Sequence, residues 1–442
     1  MSQADRLPRV MGPLGAAFLS AGWTIGSGIF RLPSEVGTGA TSSGMALMLW
    51  GLGGVFALCG ALCYAELAVR IPRSGGEFVY LNAGFGPGLA FLSGWGYLLL
   101  SGPASIAAVS RTFADYAATI HPLSDSGRRV LAAFLIAALA TVAARSTRAA
   151  ATVVSAATLA KLVAIAFIVA AAMALFPGDP PLSSEGHPAM FPPAPGPTAA
   201  GLALAFTAVI YAYDGFQGAA LLGGEVTDPG RNIPLGLLIG TSAVAAAYLA
   251  LNVTYLEVLG FPGVCSSEAV AADTMGVLLG RAGSGFVAGL VMVSTFGSLG
   301  AQLLGTPRAI FAMAEEGLFF GAFARPHPRA RTPWLAITLV ASMAILLVLT
   351  GGYGFLIRIS VLSSYPLAAL AMLAAPRLRR RAGTTSGFSM PLYPLPLAFF
   401  VGTIVIVWIL SLVGDPPAVL YGVVVTALGA AVYAVRKWLR RA

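Results

Sequence analysis

The sequence predicts an all-α integral membrane protein of twelve transmembrane helices, and three observations carry that expectation. The 442-residue chain is 57% hydrophobic, with a mean hydropathy of +0.84. Only 10% of its residues are charged, against about a quarter in an ordinary soluble domain. Apolar runs recur along the whole chain, each near the roughly 20 residues that cross a bilayer. The first run lacks a small-residue cleavage site after it, so a removable signal peptide is not expected, and no stretch is left for a soluble domain.

Taken in order, the runs place spans near 13–37, 43–70, 86–112, 129–144, 151–176, 199–223, 235–259, 284–314, 333–351, 353–376, 392–413 and 416–436. The fourth is short, the eighth long, and little more than "TGGYG" divides the ninth from the tenth. With the N-terminus inside, 19 of the 26 Lys and Arg residues fall in inside loops and tails. Arg31, Arg111, Arg128, Arg129 and Arg281 fall outside, and Lys161 and Arg358 lie within spans. That bias puts both termini in the cytoplasm and makes a multi-pass protein of the plasma membrane, with a bacterial inner membrane as the expected setting. The net charge of +9 therefore reads as topology rather than as a nucleic-acid surface. "RLRRR" and "RKWLRR" are topology anchors first and anionic-lipid contacts second.

Cys59 and Cys63 share an apolar helix face and Cys265 stands alone in a loop, which excludes a disulfide framework. No His or acidic partners lie near them, and His121, His187 and His327 are all in loops, so neither a metal ion nor a cofactor is expected.

The first span contains "AGWTIGSGIFRLP", three glycines and a serine inside an apolar run. Such an interruption frees backbone N–H and C=O groups that hydrocarbon cannot satisfy, so the break faces water or a ligand. The other reading is a small-residue face for close helix packing. A second interrupted span in the sixth position, with Asp-Gly inside "FTAVIYAYDGFQGAALLGGEVTDPGRNIP", favours the first. Discontinuous helices at matching places in two halves point to a midplane substrate site and a five-plus-five inverted repeat.

"GWTIGSGIFRLP", "CYAELAVRIPRSGGEFVYLNAGFGPGLAFLSGW", "YAYDGFQGAALLGGEVTDPGRNIP", "STFGSLGAQLLGTPRAIFAMAEEGLF" and "MPLYPLPLAFF" resemble, in order, stretches of the amino acid–polyamine–organocation permeases. Together they look most like the bacterial L-type branch, which holds serine/threonine and alanine/serine/cysteine exchangers. The resemblance runs from about residue 12 to 436. It implies the leucine-transporter fold in a single transporter domain over 1–442, with one repeat at about 12–176, a second at about 199–376, and two extra helices at about 392–436.

The residues expected to carry transport follow from the two breaks and the resemblance. The backbone of Ile25, Gly26, Ser27 and Gly28, with the Ser27 hydroxyl, would take a substrate carboxylate at the positive end of a half-helix. Carbonyls around Tyr211, Ala212 and Tyr213 would take the ammonium. Asp214 is either an ammonium ligand or the N-cap of an inner half-helix starting at Gly215. Tyr211 and Phe216 stand where the family pattern usually has Phe and Trp, which makes them gate residues, with core packing the alternative. Lys161 lies too deep in the fifth span to snorkel easily. The resemblance gives such a lysine the place of a sodium ion, bridging the first helix to the eighth near Ser294 and Thr295, either as a fixed cation or as a titrating one. Either version implies transport without sodium.

Arg358 reads as a snorkelling residue, and Glu66 with Arg70 as an i, i+4 pair. No phosphate loop, no zinc-peptidase motif and no span histidine supports an enzyme, and one lysine with one aspartate makes no channel ring. The expected function is secondary active transport of small neutral L-amino acids by exchange or with protons. The alternative is a proton-coupled importer or antiporter of cationic amino acids or polyamines using Asp214. The partners expected are the amino acid and the bilayer, and neither nucleic acid nor a disulfide-linked heavy chain. Eukaryotic L-type members join that chain through a cysteine between spans three and four, and "DYAATIHPLSDSGRR" has none.

Overall fold

Each apolar run supplies helix, and the glycines and prolines decide where the helices stop. The computed structural model describes residues 12–71, 76–145, 161, 163–175, 198–221, 226–315, 317–328, 332–382 and 387–439. Among these residues every regular element is helical. The first run divides into α1 (Pro13–Thr24) and α2 (Gly28–Gly39), and α3 (Ser43–Arg70) follows, capped by the Ser42 hydroxyl accepting from Met45 N. α4 (Gly76–Phe85) is a short connector to α5 (Pro87–Gly96). α5 continues through a π turn, Tyr97–Ser101, into α6 (Gly102–Ile120). Pro103 sits just past that turn and has no N–H to give back, which locally loosens the i to i−4 ladder.

Next come α7 (Asp125–Arg145), α8 (Val163–Leu175), α9 (Ala199–Tyr213) and the one-turn α10 (Gly218–Leu221). α11 (Pro229–Ser266) and α12 (Val270–Glu315) each contain a kink at a glycine with positive φ, Gly260 and Gly280. α13 (Trp334–Thr350), α14 (Tyr353–Met372), α15 (Ala374–Ala382), α16 (Leu395–Gly414) and α17 (Pro416–Leu439) complete the chain.

Among the described residues eight helical stretches are long and apolar enough to cross a membrane, and α8, α9 and α13 are shorter apolar helices. The third run extends further than its expected end at 112, to Ile120, and the fourth begins at Asp125 rather than at 129. The glycine kinks account for the expected end of the seventh run and start of the eighth. Residues 151–160 of the expected fifth span lie outside the described residues.

The broken helices sit in the middle of the packing. α1 lies along α11, α11 along α3, α2 along α9 and α12, and α6 against α12, α13 and α14. α16 covers α3 and α9, and α17 covers α5 and α14. One end of the bundle carries the α6–α7 turn, and the opposite end carries the α3–α4 connection.

Candidate functional site

The first break is a short reversal. Ile25 N–H still donates to Ala21 O (2.8 Å), and Gly26 N–H turns back onto Thr24 O (2.7 Å). Of the four amides expected to face a carboxylate, those of Ile25 and Gly26 are thus already occupied. Gly28 opens α2, whose first amides have no intrahelical acceptor. Ser27 is buried at the N-cap, and its hydroxyl makes no cap bond.

The second break runs from Asp214 to Gln217, one helical turn after Tyr211. Gly215 has φ +111° and a Cβ there would lie 2.6 Å from Trp23 C, so this residue lets the second break fold against the first. At Gly28 a Cβ would stand 3.0 Å from Ala212 Cα. The two breaks are in backbone contact, and Tyr248 of α11 joins them. Its hydroxyl is 2.9 Å from Thr24 O and 3.1 Å from Ala212 O, an acceptor from each broken helix.

Asp214 does not cap the inner half-helix. α10 starts at Gly218, three residues past the Gly215 start that a cap at Asp214 requires. The Asp214 carboxylate instead accepts from Tyr365 OH (3.1 Å) and Gln217 Nε2 (3.1 Å), and the residue is exposed. Ala219 N–H, at the start of α10, donates to Ser20 Oγ of α1 (3.2 Å).

The aromatic residues divide. Tyr211 OH pairs with Ser105 Oγ of α6 (3.1 Å), across the space between α9 and α6. Tyr213 turns the other way and donates to Trp50 O (3.2 Å). Phe216 is packed between Tyr64 and Phe400 over Gly60, in the α3–α16 core, rather than beside Tyr211.

Lys161 is buried and its Nζ donates to Gly22 O of α1 (3.3 Å), one turn before the break. On α12, Thr295 Oγ1 returns to Val291 O (2.9 Å) and Met292 O (3.0 Å) of its own helix. The buried Ser294 Oγ has no partner among the described residues.

The α6–α7 end is shut. Arg31 of α2 reaches Asp115 of α6 (3.5 Å), donates to Ser34 Oγ (2.7 Å) and lies 4.6 Å over the Tyr353 ring of α14. Asp115 also holds Arg111 (3.1 Å) and Arg128 (3.4 Å), while Tyr116 OH donates to Phe30 O (2.6 Å). Asp214 is exposed, and so is Tyr97, at 43%. Glu77 of the α4 connector accepts from Tyr64 OH (2.5 Å). Burial pushes the Glu77 carboxyl up to about 7, the Tyr64 hydroxyl opposes that push, and the Asp214 charge adds to it.

Away from the breaks, Glu66 pairs with Arg70 (2.9 Å) as the spacing indicates, and Arg379 of α15 adds two bonds to the same carboxylate (2.6 and 2.5 Å). Arg358 pairs with Asp415 of the α16–α17 turn. Sequence reasoning missed Tyr248, Tyr365, Ser105, Gln217 and Ser20. Polar side chains inside apolar runs are the signal that marks the first three.

What the arrangement brings together is the amide end of α2 and the C-terminal carbonyls of α9, with the α6–α7 end of the bundle closed by Arg31 and Asp115. A family model described as amino acid permease matches residues 11–433. The chain is 30% identical over 407 residues to the serine/threonine exchanger SteT of Bacillus subtilis (strain 168), covering 91% of each protein. It is 29% identical to Asc-type amino acid transporter 1 of Homo sapiens, over 98% of this chain and 83% of that one. With b(0,+)-type amino acid transporter 1 of Homo sapiens it shares 30% identity over 80% of this chain and 72% of that one.

Proposed function

The chain belongs to the amino acid permease family, and on that premise we propose that it carries small neutral L-amino acids across the plasma membrane by alternating access. It is an amino acid transporter and not an enzyme. The finer reading is a twelve-span, five-plus-five inverted repeat with both termini cytoplasmic. Substrate moves as sodium-independent exchange or with protons, and no disulfide-linked heavy chain takes part. Support for a small neutral cargo comes from the relatives' names, a serine/threonine exchanger and an Asc-type transporter among them.

The single observation that carries the mechanism is the apposition of the two breaks at Gly28 and Ala212. A zwitterion seated beside that contact puts its carboxylate on the Ser27 and Gly28 amides and its ammonium on the α9 carbonyls, so helix dipoles at both ends do the recognition. Asp214 already takes two donors, Tyr365 and Gln217, which favours a neutral cargo over one needing that carboxylate as counter-ion. With the termini inside, the shut α6–α7 end faces outward, so the chain is in an outward-closed state of the cycle. Opening outward then requires Arg31 to leave Asp115 and Tyr353.

Uptake of radiolabelled L-alanine or L-serine into proteoliposomes tests the reading. Uptake that needs internal amino acid and ignores sodium supports exchange, and uptake that needs an inward proton gradient supports proton coupling. Inhibition by arginine or polyamines alone moves the cargo to the cationic class, and sodium dependence removes the lysine substitution.

A further inference from the structure

A cavity of about 140 Å³ opens at the α6–α7 end between the last turn of α2, the first turns of α9 and the start of α14. Its floor includes Ala208 and Ile357, both buried. Ala208 is three residues before Tyr211, about 4.5 Å along the helix, so the cavity sits one turn beyond the second break on the shut side. Tyr211, bonded to Ser105, lies on α9 between Ala208 and the break.

The rim carries two opposite charges that converge on one glycine. A Cβ at Gly354 would lie 2.8 Å from Glu35 Oε2 and 2.9 Å from Arg358 Nη1. Yet Glu35 forms no ion pair among the described residues, and Arg358 pairs through its Nε with Asp415 of the α16–α17 turn. The remaining nitrogens of the guanidinium keep their donors. A carboxylate and a guanidinium held near each other but apart, above an apolar floor, match the two ends of a zwitterion. The volume is close to the roughly 150 Å³ cavity known to take benzene, whose heavy-atom count alanine shares.

We propose that this cavity is a second substrate site, a staging pocket in which an α-amino acid arriving from outside rests its ammonium on Glu35 and its carboxylate on the Arg358 Nη groups. The inference rests on the amino acid transport reading and on the α6–α7 end facing outward. It gives the closed transporter an outside-facing site that fills while the central one is sealed, so that outer opening finds substrate already at hand. Leu204, on the α9 wall, is half-buried and lines the pocket without touching either charge's role.

Equilibrium binding of radiolabelled L-alanine to the purified full chain, with uptake by right-side-out proteoliposomes, tests it. Leu204→Trp fills the pocket and Glu35→Gln removes the ammonium's partner. Binding is expected to fall from about two molecules per chain to about one in each variant. The external KM for uptake should rise roughly threefold to tenfold with kcat and the internal KM unchanged. The unchanged internal KM also shows that the variants fold. A single binding site in the unaltered chain, or two sites and an external KM that neither variant moves, overturns the staging pocket and leaves transport standing. If the unaltered chain neither binds nor carries L-alanine or L-serine, the neutral amino acid reading falls and takes the pocket with it.

Discussion

A Cβ on Gly28 would stand 3.0 Å from the Ala212 Cα, which puts the two interrupted helices in backbone contact at their breaks. Gly28→Val is expected to force them apart. Overpacking of this kind costs about 1–3 kcal/mol, and a displacement on the order of 1 Å in a binding geometry lowers rates by about 100-fold. Initial uptake of L-alanine should fall accordingly while the detergent melting temperature drops only modestly. Uptake close to the unaltered rate would show that the contact is not part of the site.

Tyr248 touches both breaks with one hydroxyl, and its ring packs on Trp50 and Tyr213. Tyr248→Phe keeps the ring and removes the hydroxyl, leaving the carbonyls of Thr24 and Ala212 one partner short. The one hydroxyl proton is shared between the two carbonyls, and a lost buried bond costs about 1 kcal/mol, so about a fivefold loss of uptake is expected. Both carbonyls border the substrate position, and the loss should appear in KM as well as in kcat. A variant with a lower melting temperature and unaltered KM would confine Tyr248 to stability.

Lys161 sends its ammonium to Gly22 O in the turn before the first break, while Thr295 bonds within its own helix. A buried ammonium bond of this kind contributes about 1.5–3 kcal/mol. Lys161→Ala should therefore lower uptake by about tenfold or more, and Lys161→Arg should rescue little because the planar fork does not fit the ammonium's place. Uptake by the unaltered chain should be the same in sodium and in choline. A strong sodium requirement would sink the idea that the lysine takes the place of a bound cation.

The breaks were legible in the sequence because glycines and an Asp-Gly inside apolar runs leave a local trace. Gly28 and Gly215 each meet the other broken helix, and each stood out as a helix-disfavouring residue. What could not be read were the partners across helices. Tyr248 and Tyr365 look like ordinary span aromatics until packing brings them to Thr24 O, Ala212 O and Asp214. Gly26 illustrates a finer limit. Composition shows that its amide leaves the helix, but only the dihedral angles show that it returns to Thr24 O instead of facing a ligand. The π turn at Tyr97–Ser101 had a signal in Pro103, yet a proline inside an apolar run equally fits a plain kink. Phe216 went into the α3–α16 core because Gly60 leaves room for its ring, a complementarity of two residues far apart in sequence.

Glu77 gives the fold a pH dependence whose sign follows from its environment. Burial raises its folded pKa from 4.5 to about 7, with Asp214 adding to the rise and the Tyr64 hydroxyl opposing it. Between those two values the folded chain keeps a proton that the unfolded chain has released. Stability therefore falls as pH rises through this window, and the loss is complete once pH passes the folded value. The melting temperature in detergent should be lower at pH 8 than at pH 5, and Glu77→Gln, which cannot ionise but still accepts from Tyr64, should flatten that difference and raise the pH 8 value. Other carboxylates paired with arginine, such as Glu66 with Arg379, push the opposite way at the acid end, so the comparison that decides is the difference between the two proteins at each pH. If the variant melts lower than the unaltered chain at pH 8, the Glu77 carboxylate is stabilising as an anion, and the buried, proton-holding account of this residue is wrong.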